Sequence, residues 1–228
     1  MSEYFNFNKL FDICSCIFSF FILNLFFIIL NLPIIIFILS VGISKIFYFF
    51  PLFLVCLIPV LPTFNILLFC MNKFFKNKSF NLLKDIKKGF LLNTRQGLFI
   101  WIIELIFIFI LYSNIMFFKM ILNQTVISCL FINLLILIIL MTPYISLLVS
   151  LFSNNSLSVL KNSLILVFKK PMLTITNILI LIFALMLFEI SPAITFLFIS
   201  SILAYLFIFA NKKLIEELEL LSITSIEN

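Results

Sequence analysis

The fold of this chain is decided by a stretch near its middle, residues 98–118, which reads LFIWIIELIFIFILYSNIMFF. The stretch carries a single charged side chain, Glu104, in an otherwise largely apolar run. A helix needs roughly 20 mostly apolar residues to cross the hydrocarbon core of a bilayer, which is about 30 Å thick. The stretch is therefore typical of a transmembrane helix.

The composition of the whole chain extends this prediction. Of the 228 residues, 64% are hydrophobic and 11% are charged, whereas a soluble domain has roughly 45–50% apolar and about 25% charged residues. A soluble fold of this length cannot bury so much apolar surface, because it must also present a wettable exterior. The composition excludes a soluble globular protein and indicates a lipid environment.

Six stretches of the chain are long and apolar enough, or nearly so, to cross a membrane. They cover residues 13–41, 47–71, 98–118, 126–152, 172–188 and 193–210. The short link before Pro192 is predicted to be a hairpin turn, because proline is disfavoured inside a helix. We predict an all-α, polytopic transmembrane helix bundle of about six spans, forming a single transmembrane domain over residues 1–228.

The distribution of lysine and arginine predicts the orientation of these spans. Thirteen basic residues fall in the N-terminus, in the segments after the second and fourth spans, and in the C-terminal tail, whereas the alternate side receives only Lys45 and Lys119. Basic loops stay in the cytoplasm, so we expect both termini to be cytoplasmic. The net charge of +6 is then explained by anionic headgroups, and we expect no nucleic-acid partner. The first residues resemble no signal peptide.

A segment outside the spans, residues 79–92, has an amphipathic helical pattern. Its apolar face is predicted to hold Phe80, Leu83, Ile86 and Phe90, and its polar face to hold Lys84, Asp85, Lys87 and Lys88. Such a helix lies at a membrane surface. It is either a connector that seals the bundle or a docking helix for a cytoplasmic partner. Residues 157–168 have a similar but more apolar pattern, and residues 212–221 are expected to extend the sixth span into the cytosol.

Polar side chains inside spans are costly in lipid, so each is a candidate for function. Glu104 is the only acid well inside a span, and it is either a proton- or cation-coupling site or a structural hydrogen-bond anchor. Asn24, Asn31 and Asn65, like two later asparagines at 133 and 177, either join helices by hydrogen bonds or contact a substrate.

Four prolines lie within the predicted spans, namely Pro33, Pro59, Pro62 and Pro143. Such positions sometimes mark transporter sites, but we expect a gentle kink at each one.

No pattern of catalytic residues is present in the sequence. The chain has no histidine, its five cysteines show no metal or disulfide spacing, and phosphate-binding loops and hydrolase motifs are absent. Close acid pairs occur only in the C-terminal tail, where they are typical of a solvated face. We therefore expect no enzyme activity, no catalytic, cofactor-binding or metal-ligating residues, and no cofactor.

Several short motifs stand out along the chain, namely NLFFIILNLP at 24–33, PTFN at 62–65, NKFFKNK at 72–78, NTRQ at 93–96 and, after Pro143, LKNSL at 160–164. They resemble those of the YesL-like family, a bacterial integral membrane family of unknown function. The resemblance implies a multi-pass protein of the bacterial cell (inner) membrane with a frequent link to carbohydrate-uptake genes. It also marks Asn93, Arg95, Gln96, Lys161 and Asn162 as candidate cytoplasmic docking or family-motif residues. It implies no reaction or ligand.

Three functions are compatible with these features. The chain is an accessory or permease-like component of carbohydrate uptake, with other transporter subunits as partners. Alternatively, it is a non-transporting membrane assembly or regulatory protein that binds another membrane complex, or a small proton-coupled carrier that uses Glu104. In each case the lipid bilayer is a partner.

Overall fold

The computed structural model describes residues 7–77, 82–122, 124–152, 155–190 and 192–224. These residues are almost entirely helical and include no strand, which confirms the predicted all-α class. The α-helices are α1 Phe7–Leu30, α2 Leu32–Val41, α3 Phe50–Cys56, α4 Val60–Asn77, α5 Leu82–Met116, α6 Thr125–Leu151, α7 Ser156–Lys169, α8 Pro171–Ile190, α9 Pro192–Ala210 and α10 Lys212–Thr224. A 3-10 turn follows α2, and a π-helical turn follows α5.

Several helical stretches are long and apolar enough to cross a membrane. Three do so individually, namely Phe50–Lys76, Leu83–Met120 and Thr125–Leu151. Three helix pairs meet the same length and composition only when taken together, and each is bent: α1 with α2 by 65°, α7 with α8 by 99°, and α9 with α10 by 60°. The described residues thus provide three potential spans, or up to six if each bent pair is one span.

The predicted first span, 13–41, is divided into two helices. The break lies at Asn31, and Pro33 stands in the first turn of α2. Proline has no N–H to bond the carbonyl four residues earlier, so the helix cannot continue straight through this position. The bend is much sharper than the gentle kink we predicted for Pro33, whereas Pro143 lies inside the unbroken helix α6.

The first turns of α5 differ from the predicted amphipathic helix at 79–92. Residues 82–92 are continuous with the apolar stretch that follows them, and residues 79–81 lie outside the described residues. Asp85, predicted on the outer polar face, is buried, and it pairs with Lys73 of α4. Leu83, predicted on the apolar face, is 82% exposed. An ion pair between the buried Asp85 and the partly exposed Lys73 of α4, which the pattern did not reveal, therefore fixes the rotation of this helix.

Helix α4 lies at the centre of the bundle and packs against α1, α5, α6 and α9. The largest core cluster contains its residues Ile66, Leu67, Leu68 and Met71, together with Leu23, Ala204 and Phe207. Helices α8 and α9 also pack against each other on either side of Ser191, which lies outside the described residues. The arrangement agrees with the hairpin predicted between the last two apolar stretches.

The pattern of residues 212–221 suggested that they extend the sixth span into the cytosol. The C-terminal helix α10 is instead not a straight extension of α9. Its axis is bent by 60° from that of α9, and two ion pairs hold it, Lys76 with Glu219 and Lys170 with Glu217. Its apolar residues Leu214 and Ile215 are buried in the core. The tail is therefore part of the bundle, where it contacts the lysine at the end of α4 and the lysine that precedes α8.

Candidate intramembrane polar site

The buried acid of α5 has one partner and one free oxygen. Glu104 is 5% exposed, and Thr142 of α6 donates a hydrogen bond from its Oγ1 to the Glu104 Oε1 over 2.7 Å. Among the described residues no group bonds the second oxygen, Oε2. A buried polar atom without a partner is rare in native proteins and calls for an explanation.

Thr142 is suited to both protonation states of the acid. Its hydroxyl oxygen lies 2.7 Å from Glu104 Oε1 and 3.1 Å from the carbonyl of Ile138. The hydroxyl has one hydrogen and two acceptor lone pairs. It can donate to an ionised Glu104, or it can donate to Ile138 and accept a hydrogen bond from a protonated Glu104. The pair can therefore gain or lose a proton without losing its hydrogen bond.

Glu104 lines a cavity of about 490 Å³ between α5, α6 and α7. Most of the wall is apolar and includes Ile103, Phe107, Leu134, Leu137, Met141 and Leu164. The other charged side chain in the wall is Lys161 of α7, which is exposed. Glu104 and Lys161, which the sequence suggested for separate roles, thus border the same cavity. Thr142 was not predicted; the only sequence signal was a polar residue beside Pro143.

Asn24 joins two helices that are far apart in sequence. Its Nδ2 donates to the carbonyl of Phe196 over 2.8 Å, and its Oδ1 accepts from the N–H of Ser200 over 3.0 Å. Phe196 and Ser200 are four residues apart in α9. One side-chain amide of α1 therefore bonds both the carbonyl and the N–H of one turn of α9. This geometry fits the helix-joining alternative for Asn24.

Asn31, at the break between α1 and α2, and Asn65, on α4, are both buried but differ in their bonding. The Asn31 Nδ2 donates to Phe27 and to the Oγ1 of Thr63, so it connects the α1–α2 break to α4. Neither side-chain atom of Asn65 has a partner among the described residues. Asn65 instead lies so close to Gly97 that a Cβ added there would be 2.8 Å from its Nδ2.

The family-motif residues divide between two environments. Asn93 is buried and donates to the carbonyl of Ser150 over 3.3 Å. Arg95 and Gln96 border a separate cavity of about 630 Å³ with the N-terminus of α7. Asn162 is exposed on α7 beside Lys161. The motif at 93–96 therefore does not form one continuous site with Lys161 and Asn162.

The two later asparagines also separate. Asn177 is buried and accepts a hydrogen bond from Asn211 over 2.8 Å, whereas Asn133 is exposed on α6. The described residues contain no group of three or more histidine, cysteine, aspartate or glutamate side chains that could hold a metal ion.

Comparisons with protein-family models, with curated proteins and with solved structures gave no match to this chain. The resemblance to the YesL-like family accordingly stays a prediction that rests on its short motifs.

Proposed function

We propose that this chain is a multi-pass protein of the bacterial inner membrane with six spans and both termini in the cytoplasm. Two observations support the proposal. The described helices supply up to six apolar spans if each bent pair crosses once, and thirteen of fifteen basic residues fall on one predicted side.

Cysteine labelling in intact cells tests this orientation. In a background without the five natural cysteines, Gln124→Cys at the start of α6 should react with a membrane-impermeant reagent added outside. Lys170→Cys, between α7 and α8, should react only after permeabilisation. The opposite labelling pattern would reverse the orientation, and equal labelling of both from outside would contradict the span count.

We further propose that the chain acts as a small proton-coupled carrier in which Glu104 is the titrating group. The observation that carries this proposal is the free Oε2 of a buried carboxyl group in a cavity. Arg95 is the last basic residue of α5 before its apolar stretch. At 1.5 Å per helical residue, Glu104 lies about 13.5 Å further along the helix. That is nearly half the thickness of a hydrocarbon core of about 30 Å. The acid then lies near mid-membrane, where an ionisable side chain is by default a functional candidate.

The carrier proposal is tested by the growth of a deletion strain on toxic and nutrient compounds, with complementation by variants. Wild type should restore each phenotype, whereas Glu104→Gln, which keeps the size but cannot ionise, should not. Asn133→Leu is the matched control, because Asn133 is a span asparagine that is exposed. Equal expression of all three proteins in the membrane is required. Full complementation by Glu104→Gln would refute the proposal.

A second candidate function is an accessory component of carbohydrate uptake, and the start of α5 favours it. Lys84, Lys87 and Lys88 are exposed there, on a helix that the Lys73–Asp85 ion pair fixes to α4. A fixed row of cations can bind a cytoplasmic subunit with an acidic surface.

Growth on a panel of oligosaccharides, paired with an affinity pull-down in detergent, distinguishes the candidates. Charge removal from all three lysines should abolish growth on one sugar and release the partner if the accessory role is right. A retained membrane partner with normal growth on every sugar would instead favour the assembly or regulatory alternative. Normal growth and no partner would leave the carrier as the working proposal.

A further inference from the structure

The cavity at Glu104 has the size and lining of a small-molecule site. Its volume of about 490 Å³ falls within the roughly 300–1,000 Å³ range of ligand pockets, which are mostly apolar with a few polar groups that fix orientation. Three helices form its wall, and Phe107 contributes an aromatic ring. A guest that fills it must therefore have an apolar body.

The one buried charged group in the wall, Glu104, determines which charge the polar group of that guest must carry. Glu104 Oε2 has no bond from the described residues, and an isolated carboxylate in an apolar environment is strongly disfavoured. A positive charge placed against it is stabilised by Coulomb attraction that low dielectric strengthens. Because Thr142 holds the other oxygen, the carboxylate is already oriented. We propose that the cavity binds lipophilic cations, the class of apolar amines and phosphonium or quaternary ammonium ions.

Lys161 is the charge that opposes this assignment. It borders the same cavity and would favour an anionic amphiphile, with its headgroup at the lysine. Lys161 is exposed, however, and Glu104 is buried. Charge interactions are about four times weaker in water than at the effective dielectric constant of about 20 inside proteins, and salt screens exposed charges further. The buried carboxylate therefore dominates the selection.

The inference rests on the proposed role of Glu104 as the titrating group, and it adds a stoichiometry. A proton and a cation compete for one carboxylate, so the neutral acid releases one proton as the cation binds and takes it back as the cation leaves. No covalent bond to the guest forms. Of the surrounding elements, α6 contributes Thr142 and apolar side chains to this region, and α7 contributes Lys161.

Equilibrium binding to the full-length protein in a non-ionic detergent tests the inference, with tetraphenylphosphonium as the probe. Tetraphenylborate has the same shape and the opposite charge, so it serves as the matched control. The phosphonium should bind at one site, release a proton in weakly buffered solution, and bind more weakly as the pH falls. Glu104→Gln should weaken it at least about tenfold, because the neutral amide offers the phosphonium no opposite charge, and should remove the proton release. Lys161→Gln should leave its affinity unchanged or increase it.

The opposite result overturns the inference. If tetraphenylborate binds more tightly than tetraphenylphosphonium, and Lys161→Gln weakens the binding of tetraphenylborate, then the site binds anions. If neither ion binds while Glu104→Gln still fails to complement growth, then the guest class is wrong and the carrier proposal stands. The single tryptophan, Trp101, is buried in α5, and its Nε1 donates a hydrogen bond to the carbonyl of Leu57. Its emission reports whether each variant has kept its fold.

Discussion

Asn24 offers a sharp test of how this bundle is held together. Its amide bonds the carbonyl of Phe196 and the N–H of Ser200 in α9, and its side chain is fully buried. Replacing it with leucine removes both hydrogen bonds and places an apolar side chain of similar size at the contact. The Phe196 carbonyl and the Ser200 N–H are four residues apart in the continuous helix α9. They can bond each other as in any α-helix, so neither is left without a partner.

The expected cost follows from that geometry. Interhelical hydrogen bonds in membranes contribute about 0.6 kcal/mol on average and up to about 2 kcal/mol. Two bonds from one amide give roughly 1–3 kcal/mol, and Asn24→Leu lies near the lower end because both α9 groups belong to a continuous helix and keep a backbone partner. Asn24→Ala should cost more, because it also leaves a cavity at the buried contact between α1 and α9. We expect Asn24→Leu to lower the unfolding free energy by about 1–2 kcal/mol.

The assay is reversible unfolding in mixed micelles, followed by far-UV circular dichroism. Asn133→Leu provides the matched control, since it makes the same change at an exposed position of α6 and should change the unfolding free energy by less than about 0.5 kcal/mol. Equal effects of the two substitutions would refute the argument, because the loss would then come from asparagine itself and not from the bridge between α1 and α9.

Two further predictions concern the packing of α4 against α5. Gly97→Ala should destabilise the protein by about 1–3 kcal/mol, because its Cβ would lie 2.8 Å from the Asn65 Nδ2. Adding Asn65→Ala to this variant should restore stability, as measured in a double-mutant cycle of unfolding. Lys73→Met should cost about 1–3 kcal/mol, since it removes the cation that pairs with the buried Asp85, whereas Glu216→Gln, in an exposed pair, should cost less than about 0.5 kcal/mol. Additive unfolding free energies for Gly97→Ala and Asn65→Ala would contradict the first prediction. Equal losses of stability for Lys73→Met and Glu216→Gln would contradict the second.

The helical class and the approximate position of the apolar stretches could be predicted because both depend on composition along the chain. An apolar run of 20 residues leaves the backbone no partner but itself in lipid, so it is helical regardless of its neighbours. Residues 98–118 lie largely within α5, and residues 126–151 lie within α6. The bends were harder to predict, because Pro33 breaks a helix whereas Pro143 does not.

The rotation of each helix could not be predicted from its pattern, because partners far away in the chain decide it. Asp85 turns inward because Lys73 meets it from α4, and the exposed Leu83 follows from that rotation. In lipid the usual rule that apolar side chains point inward loses its force, since an apolar surface is equally stable against the bilayer. Amphipathic patterns near a membrane surface therefore predict a helix but not its face.

Polar residues within apolar spans were expected to mark sites, and the structure refines that expectation. Asn24 uses both of its amide atoms to connect helices, so neither atom is left without a partner. Asn65 has unpaired atoms, but Gly97 approaches so closely that no guest fits between them. Glu104 combines an unpaired atom with an adjoining cavity. A binding site requires both properties, and the sequence shows neither, because the partner of each polar atom and the space beside it belong to other helices.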